Sequence, residues 1–189
     1  LKSNQLPREA ERAGEPASRD ARPARKPALR IIGIDPGLAS VGYGVLESGS
    51  GRLRYLCHGC IETSKDTEMG ARLLDIFATV SDLVEEWRPD SASMESLYFW
   101  KNVTSGIAVS EAKGVIRLAF ARAGVPLVEY SPTAIKQAVS GSARADKEQV
   151  QEMVRLILGL EEVPRPDHSA DALAAAICRA NHSGPLSEK

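Results

Sequence analysis

Large apolar residues are almost missing before position 28 and recur regularly after it. Residues 1–28 carry Pro7, Pro16, Pro23 and Pro27 among Ala, Arg and Glu. Such a segment buries too little surface to offset its ordering entropy, so the pattern predicts a disordered tail. It is followed by one folded domain over 29–182 and a frayed end over 183–189.

Within the domain the period of the apolar positions switches between two and three to four. Arg30-Ile-Ile-Gly-Ile-Asp35 is a short apolar run closed by Pro36-Gly37, which predicts a buried strand and a turn. Val41-Gly-Tyr-Gly-Val-Leu46 and Arg54 to Thr63 predict two more strands, joined by Ser48-Gly-Ser-Gly51 as in a hairpin. Met69, Leu73, Ile76, Phe77, Val80, Leu83, Val84 and Trp87 recur at helical steps, and Arg88-Pro-Asp90 stops that helix. Ser91 to Glu95 predicts a fourth strand, Thr104 to Ala123 a helix, and Pro126 to Tyr130 a fifth strand. Helices are expected over Pro132 to Val139, Lys147 to Leu160 and His168 to Ala180. Three antiparallel strands followed by alternating helices and strands predict an α/β fold, a mixed five-stranded sheet with helices on both faces.

The helix from Thr104 shows two apolar stripes. Ile107, Val115, Leu118 and Ala119 form one; Val109, Ile116 and Phe120 form the other. One stripe covers the sheet, and the other either needs a partner or is sandwiched within the domain.

Composition narrows the class without naming it. The chain has 189 residues, 43% hydrophobic and 26% charged, the balance of an ordinary globular domain. No apolar run approaches the ~18 residues of a membrane span, and no apolar h-region follows the basic N-terminal residues, so neither a membrane span nor a secretory signal is expected. The net charge of −1 divides into +4 over residues 1–30 and −5 over the rest. An acidic body argues against a polyanion partner on charge alone.

Three cysteines, Cys57, Cys60 and Cys178, favour a reducing compartment over a disulfide scaffold. Cys57 and Cys60 form a C-x-x-C, but an offset of three along a strand turns them to opposite faces, and no second pair completes a zinc site. Strand packing is the expectation; a structural or redox role is the alternative.

Alternation also places the acids. Ile32 and Ile34 share one face of the first strand, so Asp35 points to the other, beside the turn. On the fourth strand Ala92 and Met94 share a face, and Glu95 points away with Ser91 and Ser93. Carboxylates ending apolar strands are costly unless solvated, paired or bound to metal. In Pro166-Asp-His-Ser-Ala-Asp171, the steps from His168 and Asp167 to Asp171 put these side chains on one helix face. N-terminal capping accounts for Asp167, but poorly for His168 and Asp171. Oxygen donors with one imidazole suit Mg²⁺ or Mn²⁺ better than zinc, and two such ions can serve a phosphodiester displacement. The sequence has no G-x-x-x-x-G-K-[ST], G-x-S-x-G or H-E-x-x-H. Gly33-Ile-Asp-Pro-Gly37 alone is weak support for a phosphate cradle.

Three segments together carry a resemblance. Gly33-Ile-Asp-Pro-Gly37 with Val41-Gly-Tyr-Gly44, Met94-Glu-Ser-Leu-Tyr-Phe-Trp-Lys-Asn102, and Asp167-His-Ser-Ala-Asp-Ala-Leu-Ala174 resemble, in order and spacing, the RuvC family of bacterial Holliday-junction resolvases. The resemblance runs from about Arg30 to Asn181. It implies an RNase H-like nuclease domain, a homodimer, and symmetric paired nicking of four-way DNA junctions. The cofactor it implies is Mg²⁺, two ions per subunit, with Mn²⁺ as a substitute. The catalytic and metal-binding positions fall on Asp35, Glu95, His168 and Asp171, whereas Asp167 ranks as a cap or a neighbour of the site. The junction-opening aromatic falls on Tyr98, followed by Lys101. Lys136 and Lys147 match basic DNA-contacting positions, and Arg144 is a plausible phosphate contact. Cooperation with the branch-migration proteins RuvA and RuvB is implied, as is a cytoplasmic, nucleoid-associated location in a bacterium. The competing expectations are a non-catalytic junction-binding scaffold and another RNase H-like nuclease.

Overall fold

A computed structural model describes residues 28–96 and 103–182. The predicted tail up to residue 27, the predicted frayed end, and the segment holding Tyr98 and Lys101 lie outside the described residues. The elements follow the order expected: β1 (Leu29–Asp35), β2 (Ser40–Gly49), β3 (Arg52–Glu62), α1 (Met69–Trp87), β4 (Ser91–Glu95), α2 (Val103–Arg122), β5 (Leu127–Tyr130), α3 (Pro132–Ser140), α4 (Lys147–Leu158) and α5 (Asp167–Asn181).

The strands form one mixed sheet in the order β3-β2-β1-β4-β5. The first three are antiparallel, and β1–β4 and β4–β5 are parallel. Ser50 and Gly51, both at positive φ, close the β2–β3 hairpin, and the twist of such a turn matches that of the strands it joins. Because β1 and β4 are central and parallel, Asp35 and Glu95 end neighbouring strands at the same edge of the sheet.

Alternation along the strands feeds two cores. Ile32, Ile34, Ala92 and Met94 pack under α1 and α2 with Ile76, Val80, Ile116 and Phe120. Ile31 and Leu46 face the other way, toward α3, α4 and α5, with Ile135, Val154, Leu173 and Ile177. Asp35 and Glu95 therefore belong to the α5 face, as alternation requires.

One expectation about α2 is corrected. Ala119 does not share a stripe with Ile107 and Leu118: among the described residues the buried apolar positions are Ala112, Ile116, Ala119 and Phe120, a spacing of four, seven and eight residues. Ile107 and Leu118 are 57% and 58% exposed, off that face. Cys57 and Cys60 are free thiols. Cys57 packs at the margin of the first core, and Cys60 Sγ lies 2.7 Å from Ser40 Oγ. No described helix is long and apolar enough to cross a membrane.

Candidate active site

Glycines on β1 and β2 decide how closely α5 approaches the sheet. A Cβ on Gly33 would lie 1.9 Å from the Ala172 carbonyl oxygen, and one on Gly42 would lie 2.0 Å from that of His168. At Gly44 it would meet the Leu173 side chain at 2.5 Å. Helix α5 answers with small residues, Ala170, Ala172, Ala174, Ala175 and Ala176, all buried. Glycines in a strand commonly mark such a close approach of another backbone. Gly33 thus serves helix packing rather than a phosphate cradle. The seating brings the first turns of α5 over the ends of β1 and β4.

His168 Nδ1 lies 2.6 Å from Asp35 Oδ2. The carboxylate accepts, so this contact holds the imidazole with its Nδ1 proton toward Asp35 and leaves Nε2 for other partners. Asp171, one turn along α5, pairs with Lys147 Nζ at 3.3 Å, and the same ammonium reaches Asp167 at 3.4 Å.

Crowding of like charge shows in the proton affinities. Burial, then Asp35 and Asp171, push Glu95 up to about 7, against Lys113 and Lys136. Burial and Asp35 also raise Asp171, outweighing Lys147 and His168. Lys147 itself loses some charge preference through burial, yet Asp171 and Asp167 more than compensate and raise it.

Asp167 is corrected as a cap. The N-cap of α5 is Pro166, with no side-chain capping bond, and Asp167 occupies the first turn. Its carboxylate pairs with Arg165 and with Lys147, whose hydrogen bond holds it below the usual aspartate range. It therefore touches the cluster only through the lysine it shares with Asp171.

A cavity of about 190 Å³ opens beside the acids, lined by Glu95, Asp171, Lys136 and Lys147 with Pro132, Ile135, Val150 and Ala174. Four separate segments thus meet here: β4, α3, α4 and α5. Arg144 is exposed on the loop between α3 and α4, outside that lining.

A model described as crossover junction endodeoxyribonuclease RuvC matches residues 31–179. The chain belongs to the RuvC family. It is 55% identical over 151 residues to the RuvC of Treponema denticola, covering 80% of this chain and 85% of that one. Thermus thermophilus RuvC superposes with a TM-score of 0.76 at 37% identity, over 81% of this chain and 94% of that one. A second Thermus thermophilus structure, RuvC in complex with a Holliday junction substrate, gives 0.75 at 35% identity with the same coverage. The five-stranded mixed sheet with helices on both faces is accordingly the RNase H-like fold of this family, as the resemblance implied.

Sequence reasoning missed two features of this RuvC-family site. Lys147 was expected to contact DNA, and its pairing with two acids of α5 was not foreseen. Lys113 was not singled out, although it falls on the buried stripe with Ile116 and Phe120, three and seven positions on. A lysine at a core-facing helix position was the available signal.

Proposed function

We propose that this chain is a metal-dependent endonuclease that resolves Holliday junctions by symmetric paired nicking. The observation that carries the reading is the convergence of Asp35, Glu95, His168 and Asp171, from three distant segments, at one edge of the sheet. Water attacks a phosphodiester in line and forms the new P–O bond. The bond to the 3′ oxygen breaks, and that oxygen takes a proton, leaving 5′-phosphate and 3′-hydroxyl ends.

The donor set fits a hard divalent cation. Its ligands would be carboxylates, crowded enough that Asp35 raises the proton affinity of Glu95 and Asp171. Among the described residues no group of three or more His, Cys, Asp or Glu is close enough together to hold a metal ion by itself. Mg²⁺ is ordinarily held by one or two carboxylates with waters and substrate phosphates, so separate carboxylates suit it better than they suit zinc. Asp35 with Glu95, and Asp35 with Asp171, would hold two such ions, Mg²⁺ or Mn²⁺. Bound there, the ions would supply neutralisation of the phosphate and a lowered pKa for water.

The chain's own groups do the rest. His168, held through Nδ1 by Asp35, presents Nε2 to accept or return a proton during attack. Lys136 and Lys147, at the cavity beside the acids, contact phosphate oxygens. Arg144 adds a phosphate contact from the α3–α4 loop. Tyr98 opens the junction by stacking on an unpaired base, worth about 1–3 kcal/mol per base, and Lys101 pairs with backbone nearby. A two-fold dimer through the exposed face of α2 sets two sites on a two-fold junction. Cooperation with RuvA and RuvB, and a cytoplasmic location near the nucleoid, complete the reading.

The test is cleavage of a labelled four-way junction in EDTA, Ca²⁺, Mg²⁺ and Mn²⁺, by the parent, Asp35→Asn and Asp171→Asn. Paired, religatable nicks in Mg²⁺ or Mn²⁺, lost in both variants while binding persists, are expected. Binding with no cleavage in any metal would make the chain a junction-binding scaffold. Equal cutting of duplex and junction would make it a different RNase H-like nuclease.

A further inference from the structure

We propose that Lys113 is a positioning residue for Glu95, a role that rests on the nuclease reading above. Lys113 lies on α2, across the sheet from the acids, and is 4% exposed. Its Nζ donates to the Glu95 carbonyl oxygen at 2.9 Å and to Glu129 Oε2 at 3.0 Å. Glu129, on β5 in register with Met94, also accepts from Arg117 Nε at 2.9 Å. Burial works against its charge, but the hydrogen bonds from Arg117 and Lys113 prevail and keep it below the ordinary glutamate range.

The geometry gives the lysine a task beyond packing. Glu95 is the last residue of β4, whose five residues provide few ladder bonds to fix its end. On the β5 side the ladder continues through Ser96 N–H to the Tyr130 carbonyl at 2.8 Å. The ammonium fixes the Glu95 carbonyl, so the peptide from which the Glu95 side chain departs is clamped between β5 and α2. The side chain leaves on the opposite face, toward Asp35 and Asp171. Removing Lys113 leaves Glu129 paired with Arg117 rather than alone, whereas the Glu95 carbonyl loses the side-chain donor that aims its peptide. Lys113 therefore acts through Glu95 and touches neither metal nor DNA.

The experiment compares the parent with Lys113→Met and Lys113→Arg in four measurements. These are the urea midpoint, junction binding in Ca²⁺, Mn²⁺ affinity by electron paramagnetic resonance without DNA, and kcat for junction cutting. Lys113→Met is expected to fold and to bind junctions as the parent does. Its Mn²⁺ affinity and kcat should each fall by roughly 10- to 100-fold, the usual range for groups that orient a ligand. Lys113→Arg, which keeps donors for both acceptors, should recover most of that loss. Parental kcat and Mn²⁺ affinity in Lys113→Met would overturn the proposal. So would a fall in cutting that merely tracks lost folding or junction binding. A parent that cuts no junction removes the nuclease reading, while the Mn²⁺ comparison still decides whether Lys113 positions Glu95.

Discussion

Lys147 Nζ lies 3.3 Å from Asp171 Oδ2, so a proposed phosphate contact rests on a proposed metal ligand. The pair is half exposed on the lysine side, and exposed ion pairs contribute only about 0–1 kcal/mol. The pair would therefore matter as a competitor: a divalent cation held by Asp171 would displace the ammonium and free it for phosphate.

Lys147→Met should leave the urea midpoint nearly unchanged. Junction binding in Ca²⁺ should weaken, and the slope of log affinity against log salt should flatten by about one, as for one lost phosphate contact. Mn²⁺ binding without DNA should tighten or stay level, because a competitor is gone. Weaker Mn²⁺ binding in this variant would contradict displacement.

Glu95 predicts a pH dependence with a definite sign. Burial, with Asp35 and Asp171 beside it, pushes its carboxyl up to about 7 in the fold from the ordinary glutamate value of 4.5, so the fold holds a proton that the unfolded chain releases. That contribution is fully present below pH 4.5 and is lost as pH rises through 7. Without metal, the parent should lose about 1–3 kcal/mol between pH 4.5 and 8, and Glu95→Gln should lose correspondingly less. Urea unfolding in EDTA across this range measures both. Asp171, raised by burial and by Asp35, adds in the same direction. Metal binding has the opposite trend: the proton competes for the carboxylate, so the Mg²⁺ needed for half-maximal cutting should fall from pH 6 to pH 8.

The close seating of α5 makes Gly42 a sensitive position. Gly42→Ala directs a methyl to within 2.0 Å of the His168 carbonyl oxygen, and backbone cannot turn aside as a side chain can. Overpacking of this kind costs about 1–3 kcal/mol or more. The helix start should be pushed from β2, separating His168 from Asp35. Lower thermal stability and a kcat loss larger than the loss of junction affinity are the expected outcomes, measured by calorimetry and by cleavage kinetics. Parental cutting in Gly42→Ala would show that the α5 approach does not set the site.

What was legible in the sequence follows from what is periodic. Alternation assigned Asp35 and Glu95 to the face opposite Ile34 and Met94, and the structure has them there, because a strand has two faces only. The three-residue step from His168 to Asp171 was equally readable. The partners of these residues were not. Lys147 and Asp171 belong to different helices whose packing angle no local pattern records. Gly42 reads as a weak strand residue until α5 is seen over it. Lys113 lay in plain view on an apolar stripe, but its acceptors, a strand-end carbonyl and Glu129, exist only once β4 and β5 pair. On α2 a helix rich in apolar residues offers more than one stripe, and the sheet chose the one carrying Ala112 and Ala119, whose small side chains allow close approach.

That choice leaves Ile107 and Leu118 on the outside, eleven positions apart and so about three turns along one face of α2. Both are more than half exposed, and each lies on a helix whose other face is fully engaged with α1 and the sheet. If this face joins two copies, a charge placed there must be desolvated on association, which costs far more than the apolar contact it replaces. Leu118→Glu should therefore convert a dimer into a monomer, as read by light scattering during size-exclusion chromatography. The monomer should keep its circular dichroism spectrum and urea midpoint, since position 118 contributes nothing to the core. Each isolated subunit retains its own Asp35, Glu95, His168 and Asp171, so junctions should still be nicked, but on one strand at a time. Religatable paired products would then fall steeply relative to single nicks. Dimeric Leu118→Glu with parental paired cutting would move the interface to another face of the domain.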